Sequence, residues 1–453
     1  MAGTGGSAGG PQPRCLHCSS QSDPSSRRQC ICCIMNVQPW ERVDRDVSRR
    51  YQVCRKIGRG CYGVVWEVKT LPPAASEYGA SSAPPPPKAR FFAMKKVLFA
   101  FRDATDAQRT YREISYLLEF GRHDGILGVH DVLVSANDKH LYIVCDLMES
   151  DLQKAMRCQV LGDVHRTFIS YQARPSRALV MYPCMAGSRQ GPVADDVGTE
   201  YVHSAGVMHR DVKPSNILLD CNCKAVLADF GWARVSPMRS DDFANDMTEY
   251  VSTRWYRAPE LLLGARWYTM AIDIWALACV TGEMFLEAPL IMGTSTLDML
   301  TKIEEMVGKP PVADFEMMEA PFAMMSWGCM MDAPPNIPLE KMFPGDNELL
   351  VDFMQLLLQY NPLKRMSAGE ALAHPFLGSF HDPDGERICE RPFSLALSDD
   401  EKFPAARYRD QIYADLLALE PSKRRIEDEE RQRLLSGGSP SNGGAFAESQ
   451  EIV

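Results

Sequence analysis

Two short segments constrain this chain more than any others: Val207-Met-His-Arg-Asp-Val-Lys-Pro-Ser-Asn-Ile-Leu218 and, shortly after it, Leu227-Ala-Asp-Phe-Gly231. Asp211 stands where a base could take the proton of an attacking hydroxyl. Lys213 could neutralise a phosphoryl group in transfer. Asn216 and Asp229 are hard oxygen donors of the kind that magnesium prefers. A coincidental polar loop would not place these four in this order. Chemistry of this type also needs a phosphate cradle and a second lysine, so the preceding chain can be searched for both.

Ile57-Gly-Arg-Gly-Cys-Tyr-Gly-Val-Val65 lies between two strand-like segments. Gly58, Gly60 and Gly63 would let backbone amides approach phosphates closely. Taken alone, the pattern fits a glycine-rich hairpin equally well. Phe91-Phe-Ala-Met-Lys95 puts a lysine in an apolar strand, where an unpaired charge is costly. Glu113 lies on a helical stretch beside Ile114, Leu117 and Leu118, and could pair with Lys95 to hold it against the α- and β-phosphates. The bland alternative is a snorkelling lysine and a solvated glutamate. Leu141-Tyr-Ile-Val-Cys-Asp-Leu-Met148 is an apolar strand entering a connector, with the Asp146 carbonyl and Met148 backbone available to a base such as adenine; a plain core strand would read the same.

The length of 453 residues suits a two-lobed catalytic core with extensions, and a hydrophobic content of 45% is ample for its interior. A net charge of −10 argues against nucleic acid as a partner. Fifteen cysteines, an odd number scattered along the chain, point to free thiols in a reducing compartment. The opening Met1-Ala-Gly-Thr-Gly-Gly has no apolar signal core, and Ala2 breaks the myristoylation pattern. No apolar run reaches the roughly 18 residues of a membrane span. The best run, 271–280, is short and carries Asp273.

Residues 1–45 read as an unstructured Cys/Gly/Ser-rich extension, and 46–380 as the catalytic domain, with lobes at about 51–146 and 149–380. Strands are expected over 51–57, 64–68, 91–97, 129–134 and 141–145, with one helix over 105–120. The stretch 71–90, with Pro84-Pro-Pro-Pro87, reads as an exposed loop. After Ser150 the pattern is mainly helical. Residues 381–420 read as an extension packing on the core, and 421–453 as a disordered tail. The fold class is α+β: an antiparallel sheet with one helix, then a mainly helical lobe. Glu260 and Arg365 are expected to form a buried structural ion pair, and Asp273 to brace the loop carrying Asp211.

Over 51–380 these motifs resemble a eukaryotic protein kinase with a bilobal fold, and Lys213 resembles the serine/threonine class. Asp246-Met-Thr-Glu-Tyr-Val-Ser-Thr-Arg-Trp-Tyr-Arg-Ala-Pro-Glu260 resembles the activation lip of mitogen-activated protein kinases, in the Thr-Glu-Tyr form of the extracellular-signal-regulated branch. The stretch from Phe101 to Ile114 is most like the atypical, autoactivating subgroup of that branch. The resemblance implies ATP and Mg2+ as cofactors, with Ile57, Val65, Ala93 and Leu218 completing the nucleotide site. It implies phosphorylation of Thr248 and Tyr250, with Arg112, Arg210 and Arg234 gathering the first phosphate and Arg254 and Arg257 the second. It further implies protein substrates with Ser/Thr-Pro sites, an upstream activating kinase or autophosphorylation, and a monomer in the cytoplasm with access to the nucleus.

The chain departs from that pattern at 173–199. Residues 164–172 read as the first half of a long central helix and 200–204 as its end. Between them stand 27 residues containing Pro175, Pro183 and Pro192, where the resemblance gives about six helical residues, under two turns. Each internal proline would cost a helix about 3 kcal/mol. Either Arg177-Ala-Leu-Val-Met-Tyr182 replaces the missing helix and the remainder loops out, or the segment does not belong to the native protein. A contrasting reading is a pseudokinase scaffold that keeps the fold without turnover. A third is zinc bound by Cys15, Cys18, Cys30, Cys32 and Cys33, whose irregular spacing fits disordered thiols better. Asp399-Asp-Glu401 reads as a solvated charge run or a weak acidic docking patch. Ala405-Ala-Arg-Tyr-Arg-Asp-Gln-Ile-Tyr413 resembles the family's helical extension that packs back on the first lobe.

Overall fold

The structure is a computed structural model. It describes residues 41–60, 63–71, 89–121, 123–172, 202–236, 238–239, 254–265, 267–318, 320, 339–343, 347–381, 393–399 and 401–419. Thr248, Tyr250, the 173–199 segment, the proline run, the N-terminal cysteines and the tail lie outside the described residues.

The N-terminal lobe is a five-stranded antiparallel sheet: β1 (Tyr51–Gly60), β2 (Gly63–Thr70), β3 (Phe91–Val97), β4 (Val129–Val134) and β5 (Leu141–Cys145), ordered β1-β2-β3-β5-β4. Three of the five expected strands have the expected bounds; β1 and β2 run further, to the tip of the glycine-rich turn. Because side chains alternate across a sheet, register decides which residues face the cleft. Val65 pairs with Lys95, and Lys95 with Ile143, so these three share one face. Trp66, Phe92, Met94, Tyr142 and Val144 take the other and form a separate small core.

That second core is capped by helix α1 (Arg45–Arg50) through Val47. The expectation that the chain is unstructured through 45 therefore runs too far. Glu41 is buried and ion-paired with Lys56 at 2.7 Å, and Lys96 donates to the Arg42 carbonyl at 2.6 Å. Lys56 and Lys96 both need oxygen partners, which residues 41 and 42 supply.

Helix α2 (Ala104–Phe120) is capped by Asp103, whose carboxylate accepts from the Thr105 and Asp106 N–H groups. It carries Arg109, Arg112 and Glu113. Its apolar face, including Ile114, Leu117 and Phe120, packs in the core that continues into the second lobe.

The second lobe surrounds α6 (Ala271–Leu286), the apolar run noted in the sequence. It is buried on every side, as a central core helix should be, and no helix among the described residues is long and apolar enough to cross a membrane. Between α2 and α6 come α3 (Leu152–Arg157), α4 (Asp163–Gln172) and α5 (Pro259–Leu262). Helix α4 is the expected first half of the central helix. Its last residue, Gln172, is tied down: its side chain donates to the Cys223 carbonyl at 2.8 Å and accepts from Ala225 N–H at 2.9 Å. Residues 202–204 are helical, with Val202 buried. Both flanks of the 173–199 segment are thus docked on the core.

Residues 405–419 form a helix lying against α2, as the resemblance implied. The Tyr408 ring packs at a tilt against Tyr111 with centroids 5.6 Å apart, and Tyr413 donates to Asp138 at 3.0 Å.

Candidate active site

Between the lobes lies a cleft of about 1000 Å³. Every residue assigned from sequence to nucleotide, metal or phosphoryl transfer lines it: Ile57, Gly58, Gly60, Gly63, Val65, Ala93, Lys95, Glu113, Asp146, Met148, Asp211, Lys213, Asn216, Leu218 and Asp229. They come from six separate stretches of chain, brought together by the sheet face and the loop below it.

The roof is the β1–β2 turn. A Cβ at Gly63 would meet the Lys96 carbonyl at 2.1 Å, so glycine is required there by the close approach of β3. At Gly60 a Cβ would meet nothing within 4 Å, which leaves its backbone open to the cleft. At the back, the Asp146 N–H donates to the Gly128 carbonyl at 3.0 Å. Among the described residues the Asp146 carbonyl and the Met148 N–H take no backbone partner, so both can serve an adenine edge. The Asp146 carboxylate is engaged elsewhere, with His130 Nε2 at 2.6 Å.

Lys95 and Glu113 form the anticipated ion pair. Burial pulls the Lys95 ammonium down, but the charges of Glu113 and Asp229 outweigh it and hold it above its ordinary value. Lys95 is thus a fixed cation beside Asp229.

The loop below is set by Asp273 on α6. Its carboxylate accepts from the backbone N–H groups of His209 (2.7 Å) and Arg210 (2.8 Å) and faces His203 Nε2 at 3.0 Å. The bracing role expected of Asp273 is the observed one. Burial would raise its carboxyl, but His203, His209 and these N–H donors bring it below the ordinary value. His209 Nδ1 accepts from the Asp211 N–H at 3.3 Å, so its proton sits on Nε2, which donates to the Ala228 carbonyl at 3.0 Å. That bond ties the loop carrying Asp211 to the strand end carrying Asp229. Burial keeps the ring below its ordinary pKa, in keeping with this neutral tautomer.

Asp211 accepts from Lys213 Nζ at 2.7 Å and from Asn216 Nδ2 at 3.0 Å, both on Oδ2. Asn216 Nδ2 also reaches the Asp211 carbonyl at 2.9 Å, so Asn216 Oδ1 is the atom left for a cation. Two backbone positions here are strained: Arg210 (φ 68°) and Asp229 (φ 62°) occupy the left-handed region, at a cost of about 1–3 kcal/mol each. The hydrogen bonds to Asp273 and Ala228 offset that cost.

A divalent cation is tested by the donors present. Asp229 Oδ1 is buried and accepts no hydrogen bond, an arrangement that is costly without a cation. Burial would raise the Asp229 carboxyl, but Lys95, Arg109 and Lys213 bring it down to about 2, so it is ionised. Asn216 and Asp229 therefore fit magnesium, which takes one or two protein oxygens and completes its shell from phosphate and water.

The structure also places residues not anticipated from sequence. Arg109 Nη2 lies 3.6 Å from Asp229, and its guanidinium covers the Trp232 ring at 5.1 Å. It stands one helical turn before Glu113, the only signal that could have flagged it. Asp399, read in the sequence as part of a charge run, is not a solvated charge: it is only 14% exposed and binds Arg112 at 2.8 Å, and Arg112 is just 3% exposed. Arg254, expected to meet a phosphate on Tyr250, donates to the Thr294 carbonyl at 3.1 Å. Glu260 and Arg365 form a two-pronged pair at 2.9 and 3.1 Å, fully buried.

Comparison with known proteins agrees with this geometry. Residues 51–377 match the family described as Protein kinase domain. The chain is 38% identical over 390 residues to extracellular signal-regulated kinase 2 of Dictyostelium discoideum, covering 85% of this chain and 95% of that protein. It is 35% identical over 407 residues to mitogen-activated protein kinase 15 of Xenopus laevis, covering 89% and 62%. It is 33% identical over 407 residues to extracellular signal-regulated kinase 7 of Drosophila melanogaster, covering 89% and 40%, so the chain spans well under the full length of these last two relatives. By fold, assembled cleft and likeness alike, the chain belongs to the mitogen-activated protein kinases and is a protein serine/threonine kinase.

Proposed function

We infer that this kinase transfers the γ-phosphoryl group of ATP to serine or threonine followed by proline in protein substrates, and that phosphorylation of Thr248 and Tyr250 switches it on. The single observation that carries the catalytic part is the placement of Asp211 against Lys213 and Asn216, opposite Lys95 and Asp229, in one cleft. Asp211 Oδ1 is left to take or orient the proton of the substrate hydroxyl. Lys213, held on Asp211 Oδ2, would contact the transferring group. Lys95, fixed by Glu113, would hold the α- and β-phosphates, and Asn216 and Asp229 would hold magnesium, which when bound neutralises charge developing on the phosphates. The substrate preference and the switch rest on the resemblance of the 246–260 segment to the family's activation lip. The assembled cleft does not favour the scaffold reading. We further propose a monomer that acts in the cytoplasm and reaches the nucleus, with residues 46–380 as the catalytic domain.

Mass spectrometry of the chain expressed alone in bacteria, beside an Asp229→Asn control, tests the switch. Phosphate on Thr248 and Tyr250 in the active protein only is the expected result. Phosphatase treatment should then lower turnover of a Ser-Pro peptide, and a Ser-Ala peptide should be a poor substrate throughout. Equal rates on the two peptides would refute proline direction; unchanged turnover after phosphatase would refute the switch.

The pH profile is a further expected outcome. Burial, with the nearby charge of Asp229, raises the Asp211 carboxyl above its ordinary value despite the opposing charge of Lys213. A base must be ionised, so kcat/KM should fall as pH drops through that raised value. Asp229, at about 2, stays ionised throughout. Lys213→Ala removes a charge that favours the ionised form and should move the acid limb upward; a limb that stays in place or moves down would show that Asp211 is not the group titrating.

A further inference from the structure

The contact between Arg112 and Asp399 joins residues 287 positions apart. Asp399 belongs to a segment pinned along α2. Phe393 donates its N–H to the Ala205 carbonyl at 2.9 Å and its ring sits 5.0 Å from Tyr116. Leu397 donates to the Tyr111 hydroxyl at 3.1 Å, and Lys402 to Thr105 Oγ1 at 2.7 Å. Asp399 is therefore delivered to Arg112 by a docked strap.

Arg112 is one of the three arginines expected to gather a phosphate on Thr248. The three are close enough to feel one another: burial and then the charges of Arg112 and Arg210 bring the Arg234 guanidinium down to about 10, and Asp399 opposes that shift. Clustered cations without an anion repel, so a carboxylate placed here stabilises the cluster. Arg112 Nη2 and Asp399 Oδ2 are both buried and without a hydrogen-bond partner among the described residues. Arg112 thus keeps a buried donor for a further oxygen anion while its Nε is held by Asp399. The adjoining residue on α2 is Glu113, the partner of Lys95.

We propose that Asp399 is a positioning residue for phosphoryl transfer, a resident carboxylate that does part of the work of the activating phosphate. By binding Arg112 it holds α2 at the height where Glu113 meets Lys95, so the site is assembled before Thr248 is modified. A phosphate then joins through the remaining donors and tightens the same helix. The statement about phosphate rests on the proposed Thr248 switch; the positioning role of Asp399 does not.

The test compares wild type, Asp399→Asn and Asp399→Glu, each prepared fully dephosphorylated and, separately, phosphorylated on Thr248, with both states verified by intact mass. In the dephosphorylated proteins Asp399→Asn should lower kcat on a Ser-Pro peptide about 10–100-fold, with KM for the peptide little changed, and Asp399→Glu should recover most of it. Phosphorylation should close the gap between Asp399→Asn and wild type to about twofold, as the phosphate supplies the missing anion. Four results would overturn the proposal: turnover of dephosphorylated Asp399→Asn within about twofold of wild type, no recovery in Asp399→Glu, a loss that persists equally after a phosphorylation that does activate wild type (a structural defect only), or a dephosphorylated wild type with no turnover. If instead phosphorylating Thr248 leaves wild type unchanged while the dephosphorylated arm behaves as expected, the Thr248 switch fails and the positioning role stands.

Discussion

Asp211→Asn is expected to lower kcat by about 10²–10⁴-fold, the usual contribution of a positioned base, while leaving the cleft intact. The reason is local. Asparagine keeps an oxygen where Asp211 Oδ2 accepts from Lys213 (2.7 Å) and Asn216 (3.0 Å), and keeps the backbone N–H that donates to His209. The strained turn at Arg210 is held by Asp273, not by the Asp211 side chain. What is lost is the charge and with it the proton acceptor. ATP with magnesium should still raise the melting temperature of the variant, because Lys95 and Asp229 are untouched. Stopped turnover with retained nucleotide stabilisation supports the assignment. Turnover within about tenfold of wild type would place the base elsewhere and leave Asp211 only a positioning part.

The legibility of the site in the sequence divides along physical lines. Lys95 could be read because a charge inside an apolar strand demands a partner, and Glu113 because helical spacing sets it among Ile114, Leu117 and Leu118. The register that puts Val65, Lys95 and Ile143 on one face is a finding of the fold, because alternation assigns faces within a strand but not which residues pair across strands. Asp211, Asn216 and Asp229 were legible because phosphate chemistry fixes both residue type and order. Asp399 was not. A single carboxylate in a charged run carries no periodic signal, and nothing local says that a strap anchored by Phe393 and Leu397 will bury it on Arg112. The same holds for Glu41, whose partner Lys56 is chosen by the end of the sheet on which it lands. For Arg254 the resemblance implied a phosphate ligand; the fold shows one of its donors on the Thr294 carbonyl, a contact that no local pattern announces. Residue type announces chemistry; which charges are buried together is a property of the folded surface.

Arg365→Met is expected to destabilise the second lobe by about 3–5 kcal/mol, the cost of leaving one half of a buried ion pair behind. Arg365 is fully buried, and its fork meets both oxygens of Glu260, with further donors to the Gln359 and Ala271 carbonyls. It also lies over the Trp275 ring at 5.2 Å, so methionine can keep the packing while losing the charge. The penalty therefore comes from Glu260, whose carboxylate would remain in the interior without a counterion. That argument predicts a non-additive partner: Glu260→Gln combined with Arg365→Met should cost less than Arg365→Met alone, because the stranded charge is gone. Recovery should be partial, since the two carbonyls also lose their donors. Urea unfolding followed by tryptophan fluorescence measures both variants. A double variant no more stable than Arg365→Met would mean that lost hydrogen bonds to the backbone, rather than a stranded carboxylate, dominate. A single variant within about 1 kcal/mol of wild type would mean that the pair does not hold α5 against α6 at all. The expected outcome ties the two ends of the lobe together: Glu260 closes the segment that begins near Thr248, and Arg365 fastens it to the same helix whose Asp273 holds the catalytic loop.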